Sequence, residues 1–134
     1  MAAPFRRVAI LGTGLIGGSF ALALRKYSPD TIVIGWDKGL VLRHALERGA
    51  INEGAGDLSH ALAGAELIYV ALPVGQTIEL LPEIAKLAAE ISPGKFILSH
   101  LCGNMDLPGN KKLYREAGYK GEVIEAYDGL RITP

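Results

Sequence analysis

Residues 8–24 carry no charge, and a glycine cluster divides them into two apolar stretches of different character. Val8-Ala9-Ile10-Leu11 is short and wholly apolar, so it reads as a strand. From Leu15 to Lys26 the chain reads as a helix, and the turn between the two is Gly12-Thr13-Gly14-Leu15-Ile16-Gly17, a GxGxxG. In a strand-to-helix turn of this kind the three glycines do different work. The first, Gly12, allows the tight turn. Gly14 removes a side chain where a pyrophosphate must reach the backbone, and Gly17 lets the helix lie close on its own strand. Unpaired N–H groups and the positive end of the helix dipole then favour an anion at the helix start. The cofactor-binding candidates here are Gly12, Thr13, Gly14, Leu15, Ile16 and Gly17.

A glycine turn alone is weak evidence, because such turns also arise for steric reasons, so its surroundings decide. A second apolar strand, 31–35, leads into Trp36-Asp37-Lys38, and Asp37 stands 20 residues after Gly17 (37 − 17). At that spacing a carboxylate accepts the hydroxyls of an adenosine ribose and repels a 2′-phosphate, which favours NAD over NADP. Lys38 and Arg43 stand close enough in sequence to keep NADP open. The alternative role for Asp37 is to cap a helix over 39–48, since aspartate is common at helix starts.

Gly49 ends that helix, residues 50–56 read as a connection, and Asp57 is a candidate N-cap for a short helix over 58–63, closed by Gly64. Residues 66–72 read as a central parallel strand. Ligands in open parallel sheets lie beyond the strand ends where strand order reverses, so Leu72, Pro73 and Val74 are candidates for cofactor packing, or else an ordinary turn. Residues 76–91 have helical spacing, with Pro82 expected to interrupt or restart the helix because it lacks an N–H. A strand over 95–99, a helix over 110–117 and a strand over 122–126 follow. The alternation predicts an α/β fold with a doubly wound, mostly parallel sheet of Rossmann type. At 134 residues the chain is expected to make a single dinucleotide-binding domain, with a core over 7–99 and a terminal αβ segment over 100–134.

Arg6-Arg7 ahead of the apolar run superficially suggests a secretory signal, but four glycines interrupt the run and its Ala21-Leu22-Ala23 match lies inside it. Fourteen basic against fourteen acidic side chains leave a formal net charge of +0, so neither nucleic acid nor an anionic membrane is an expected partner. A single cysteine, Cys102, excludes an internal disulfide and a cysteine-based metal cluster, so no metal is expected and a reducing cytoplasm suits the chain.

The segments VAILGTGLIGGSFALALRK, IVIGWDK and GAELIYVALPVGQTIELLPEIA resemble the dinucleotide-binding half of the prephenate and arogenate dehydrogenases over about residues 7–98. The resemblance implies an oxidoreductase that performs oxidative decarboxylation in tyrosine biosynthesis, with hydride passing from the prephenate or arogenate ring to nicotinamide and carbon dioxide being lost. After residue 98 the pattern departs. Where the family has Asp-x-x-Ser-x-Lys, this chain has His100, Gly103 and Met105 at the three fixed positions. Where the family has the Gly-His-Pro that carries its catalytic histidine, Ile124-Glu125 leads instead to Ala126-Tyr127-Asp128-Gly129. The family's helical domain, which closes the substrate site and forms a homodimer, has no counterpart before Pro134. The catalytic residues are therefore unknown, and turnover by this chain alone is not expected. His100, without an orienting partner, reads as structural or solvated, and Cys102 lacks the basic partner that would activate it beyond His100 itself. Two other readings remain open. One is a non-catalytic nucleotide-binding module. The other is a small related reductase whose site is shared between subunits.

Overall fold

A computed structural model of the chain describes residues 3–91, 95–98, 112, 115–116, 118 and 120–125. The elements are β1 (Arg7–Leu11), α1 (Leu15–Tyr27), β2 (Ile32–Trp36), α2 (Gly39–Glu47), β3 (Glu53–Gly54), α3 (Leu58–Leu62), β4 (Leu67–Val70), α4 (Val74–Ile91), β5 (Lys95–Leu98) and β6 (Glu122–Glu125). All pairings are parallel, in the order β3-β2-β1-β4-β5-β6. This is the doubly wound Rossmann order that the alternation of elements predicts.

The period-two geometry of β1 explains the layers. Val8 and Ile10 face a core shared with Ala21 of α1 and Ala45 of α2. Ala9 and Leu11 face the opposite core, filled by Leu58, Ala61 and Leu62 of α3 and by Leu81, Ile84, Ala85 and Ala88 of α4. A strand covered on both sides must be apolar at every position, which is why residues 8–11 show no polar alternation.

Three expectations need correction. Helix α4 runs unbroken from Val74 to Ile91 with Pro82 inside it. Pro82 is exposed, so the hydrogen bond it removes lies on the wet side of the helix, while buried Leu81, Ile84, Ala85 and Ala88 hold the inner face against the sheet. Residues 50–56 are not only a connection, because Glu53 and Gly54 pair with Ile34 and Gly35 as edge strand β3. Helix α2 begins after Lys38 with no side-chain cap, so Asp37 does not perform the alternative capping role. Asp57 does cap α3, accepting the His60 N–H at 2.7 Å. Gly49 and Gly64 both adopt φ +70° at the helix ends predicted for them. The predicted helix over 110–117 falls largely outside the described residues, within which Lys112, Arg115 and Glu116 are helical. His100, Gly103, Met105, Cys102 and Tyr127-Asp128 lie outside them as well.

Glu66, just before β4, staples the start of β1. It accepts the Arg6 backbone N–H at 2.6 Å and the Arg6 guanidinium at 2.9 Å. The backbone bond first, and the guanidinium second, hold its carboxyl below the usual 4.5. A carboxyl lowered in the folded state adds stability above its unfolded pKa and loses it as pH falls through the folded value. Urea unfolding should therefore show Glu66→Gln losing less stability than the parent chain between about pH 5 and pH 3. Equal losses in the two proteins would remove Glu66 as a source of the acid sensitivity.

Candidate functional site

Helix α1 leaves β1 toward one face of the sheet, and α4 leaves the neighbouring β4 toward the other. A crevice therefore opens beyond the adjoining ends of β1 and β4. On that general pattern the glycine turn after β1 stands at one wall, and Leu72, Pro73 and the start of α4 at Val74, after β4, stand at the other.

Each glycine of the turn meets a different environment. Gly12 has φ +96°, and a Cβ there would lie 2.5 Å from the Ala71 carbonyl oxygen and 2.8 Å from the Leu72 nitrogen. The two walls thus touch at backbone distance. A Cβ on Gly17 would collide with the Gly12 carbonyl oxygen, so α1 sits as close to its own turn as the chain permits. Gly14 is the opposite case: a Cβ there would meet nothing within 4 Å. Gly14 is the N-cap residue of α1, with no side-chain cap and no acidic residue in the first turn. No side chain caps the first helical N–H groups, and Leu15 and Ile16 beside them are exposed, Leu15 at 87%.

Asp37 ties the turn to the end of β2. Its Oδ2 accepts the Thr13 N–H at 2.7 Å and its Oδ1 accepts the Lys38 N–H at 2.7 Å, while the Gly12 N–H donates to the Trp36 carbonyl at 2.9 Å. Each carboxylate oxygen keeps acceptor capacity for a further donor. The structure thus brings Gly12, Thr13, Gly14 and Asp37 together, with Leu72 across the crevice. Thr13 is 5% exposed and its Oγ1 has no hydrogen-bond partner among the described residues. A cavity of about 290 Å³ runs from Thr13 and Gly14 down between α1 and α2 to Arg48; it lies on the flank of the turn, and neither Leu72 nor Pro73 lines it.

Two contributors were not singled out in the sequence. Gly35 lets β2 pass the turn, since a Cβ there would lie 2.8 Å from Thr13 Cγ2 and 2.8 Å from Ile51 Cδ1. A glycine inside an apolar strand is itself the signal for such an approach. Thr77, 1% exposed, donates from Oγ1 to the Leu72 carbonyl at 3.2 Å. Nothing in its local sequence marks it. Among the described residues there is no group of three or more His, Cys, Asp or Glu side chains able to hold a metal, and no helix long and apolar enough to cross a membrane.

The chain is 36% identical over 80 residues to the prephenate dehydrogenase of Lactococcus lactis subsp. cremoris, a match covering 60% of this chain and 22% of that protein. It is 37% identical over 79 residues to the prephenate dehydrogenase of Bacillus subtilis, covering 58% of this chain and 21% of that one. The chain thus spans about a fifth of the length of these relatives. In structure it resembles prephenate dehydrogenase from A. aeolicus, solved in complex with hydroxyphenyl propionate and NAD+, with a TM-score of 0.69 at 20% identity over 96% of this chain and 44% of that one. Residues 20–98 match the family described as "Prephenate dehydrogenase, nucleotide-binding domain", a stretch that begins just after the glycine turn. With more than half of its length inside that match, the chain belongs to the prephenate dehydrogenase family as a nucleotide-binding domain.

Proposed function

We propose that residues 1–134 act as one NAD-binding domain of a prephenate or arogenate dehydrogenase-like oxidoreductase, and that the glycine turn, Asp37 and the 72–74 wall hold the dinucleotide. The observation that carries this reading is the open space at Gly14, above an uncapped helix start and beside the Asp37 carboxylate. Residues 14–16 supply N–H donors for the pyrophosphate, and Asp37 has acceptor capacity for the ribose hydroxyls. The unpartnered Thr13 hydroxyl fits a site completed by a polar ligand. When bound, NAD supplies the hydride acceptor of an oxidative decarboxylation. This chain's own residues bind and orient it, and the substrate site is assigned to residues beyond the described ones or to a second subunit of a homodimer. A reducing, cytoplasmic setting matches the single cysteine.

Calorimetric titration with NAD, with NADP, and then with prephenate in the presence of NAD tests the reading. NAD binding without prephenate binding supports it, and binding of neither nucleotide overturns it. Asp37→Ala should lose about 10- to 100-fold in NAD affinity, the scale of hydrogen bonds to a charged group. NADP should lose less, because its 2′-phosphate gains nothing from the carboxylate. Asp37→Asn keeps an acceptor for the Thr13 N–H and separates turn support from charge. Equal losses for both nucleotides in both variants would mean that Asp37 does not read the ribose.

A further inference from the structure

The wall facing the glycine turn has its own support. Beyond the last residue of β4, the Ala71 N–H donates to the Leu11 carbonyl at 2.7 Å, carrying the β1–β4 ladder one step further. The next peptide, Ala71–Leu72, is the group that leaves no room for a Cβ on Gly12. Its position is therefore felt directly by the turn. The Leu72 carbonyl that follows belongs to a residue only 1% exposed, where water does not readily replace a lost partner. Thr77 supplies that partner from the first turn of α4. Its N–H closes the first helical bond to the Pro73 carbonyl at 2.9 Å, and its Oγ1 reaches one residue further back, to Leu72, at 3.2 Å. Thr77 thus holds two successive carbonyls at the joint between strand and helix, Pro73 through its backbone N–H and Leu72 through its hydroxyl.

We infer that Thr77 is a positioning residue for the dinucleotide: its hydroxyl locks the Leu72 carbonyl and thereby sets the Ala71–Leu72 peptide against Gly12, fixing the width of the crevice. The inference rests on the NAD-binding reading above. Thr77 is buried, and its effect passes through the Leu72 peptide. Without the hydroxyl, the buried carbonyl is unsatisfied and the peptide turns to find another donor. The wall then shifts against a turn that already has Ala71 and Leu72 backbone atoms at contact distance.

The test uses two substitution pairs, each differing chiefly by the hydroxyl: the parent chain against Thr77→Val, and Thr77→Ser against Thr77→Ala. NAD affinity is measured by calorimetry, and the Gly12 and Leu72 amide resonances are recorded without nucleotide. The hydroxyl-free member of each pair should bind NAD about tenfold more weakly and show displaced Gly12 and Leu72 amides, while Thr77→Ser stays within about twofold of the parent. If Thr77→Val does not fold, the serine and alanine variants make the same comparison. A purely structural residue would lower the urea midpoint while leaving the affinity of the folded protein unchanged. Unchanged affinity in the hydroxyl-free variants, or a loss in Thr77→Ser equal to theirs, overturns the inference and leaves NAD binding standing. Failure of the parent chain to bind NAD overturns both.

Discussion

Replacing Gly14 by valine should abolish NAD binding, a loss of at least about 100-fold, while changing folding stability by no more than about 0.5 kcal/mol. The two halves of this expectation come from one observation. A Cβ at Gly14 meets no protein atom within 4 Å. Packing therefore does not require glycine at this position. The open volume lies at the start of α1, where three branched carbons would occupy the approach to the helix N–H groups. Calorimetry with NAD and urea unfolding of the same preparation check both halves. Retained NAD affinity would remove the glycine turn from the binding site.

Gly17→Ala should behave in the opposite way, unfolding the protein more easily by about 3 kcal/mol or more and lowering Tm by roughly 10 °C. Helix propensity alone predicts the reverse sign, since alanine is favoured over glycine inside a helix by about 1 kcal/mol. Packing decides. The added Cβ collides with the Gly12 carbonyl oxygen and lies 3.2 Å from Ile10 Cγ2, so α1 must move off β1 or the turn must open. Gly12 and Ile10 are both buried, and neither atom is the free end of a flexible side chain. Urea unfolding measures the effect directly. A neutral or stabilising result would show that α1 does not rest on its own turn.

These two glycines, three residues apart, show how much was legible beforehand and how much was not. The motif marked both positions; the structure shows the close packing expected at Gly17, while the open space at Gly14 is what its proposed pyrophosphate role rests on. Asp37 was legible by spacing, yet whether its carboxylate would cap α2 or hold the glycine turn was not. That choice depends on which way the carboxylate turns, and pairing of β1 with β2 brings the Thr13 N–H to it. Pro82 misled for a related reason: whether a missing N–H breaks a helix depends on which side it faces, and burial of Leu81, Ile84 and Ala85 put Pro82 outside. Strand β3 has only two residues, too few for any periodicity to show. Thr77 was invisible because a threonine in an apolar helix looks like filler until its hydroxyl is seen against a buried carbonyl.

The position of β1 in the sheet has a consequence for biosynthesis. Val8 pairs with Val33 on one side and with Leu67 on the other, so the second partner is made 59 residues after the strand itself (67 − 8). At ribosomal rates of about 5–20 residues per second, that interval lasts roughly 3–12 s. Throughout it, β1 holds one edge without its ladder, the kind of exposed edge that invites pairing with another chain. The central strand that makes the finished sheet secure is thus the element whose nascent form most needs shielding, and delivery of β4 ends that need.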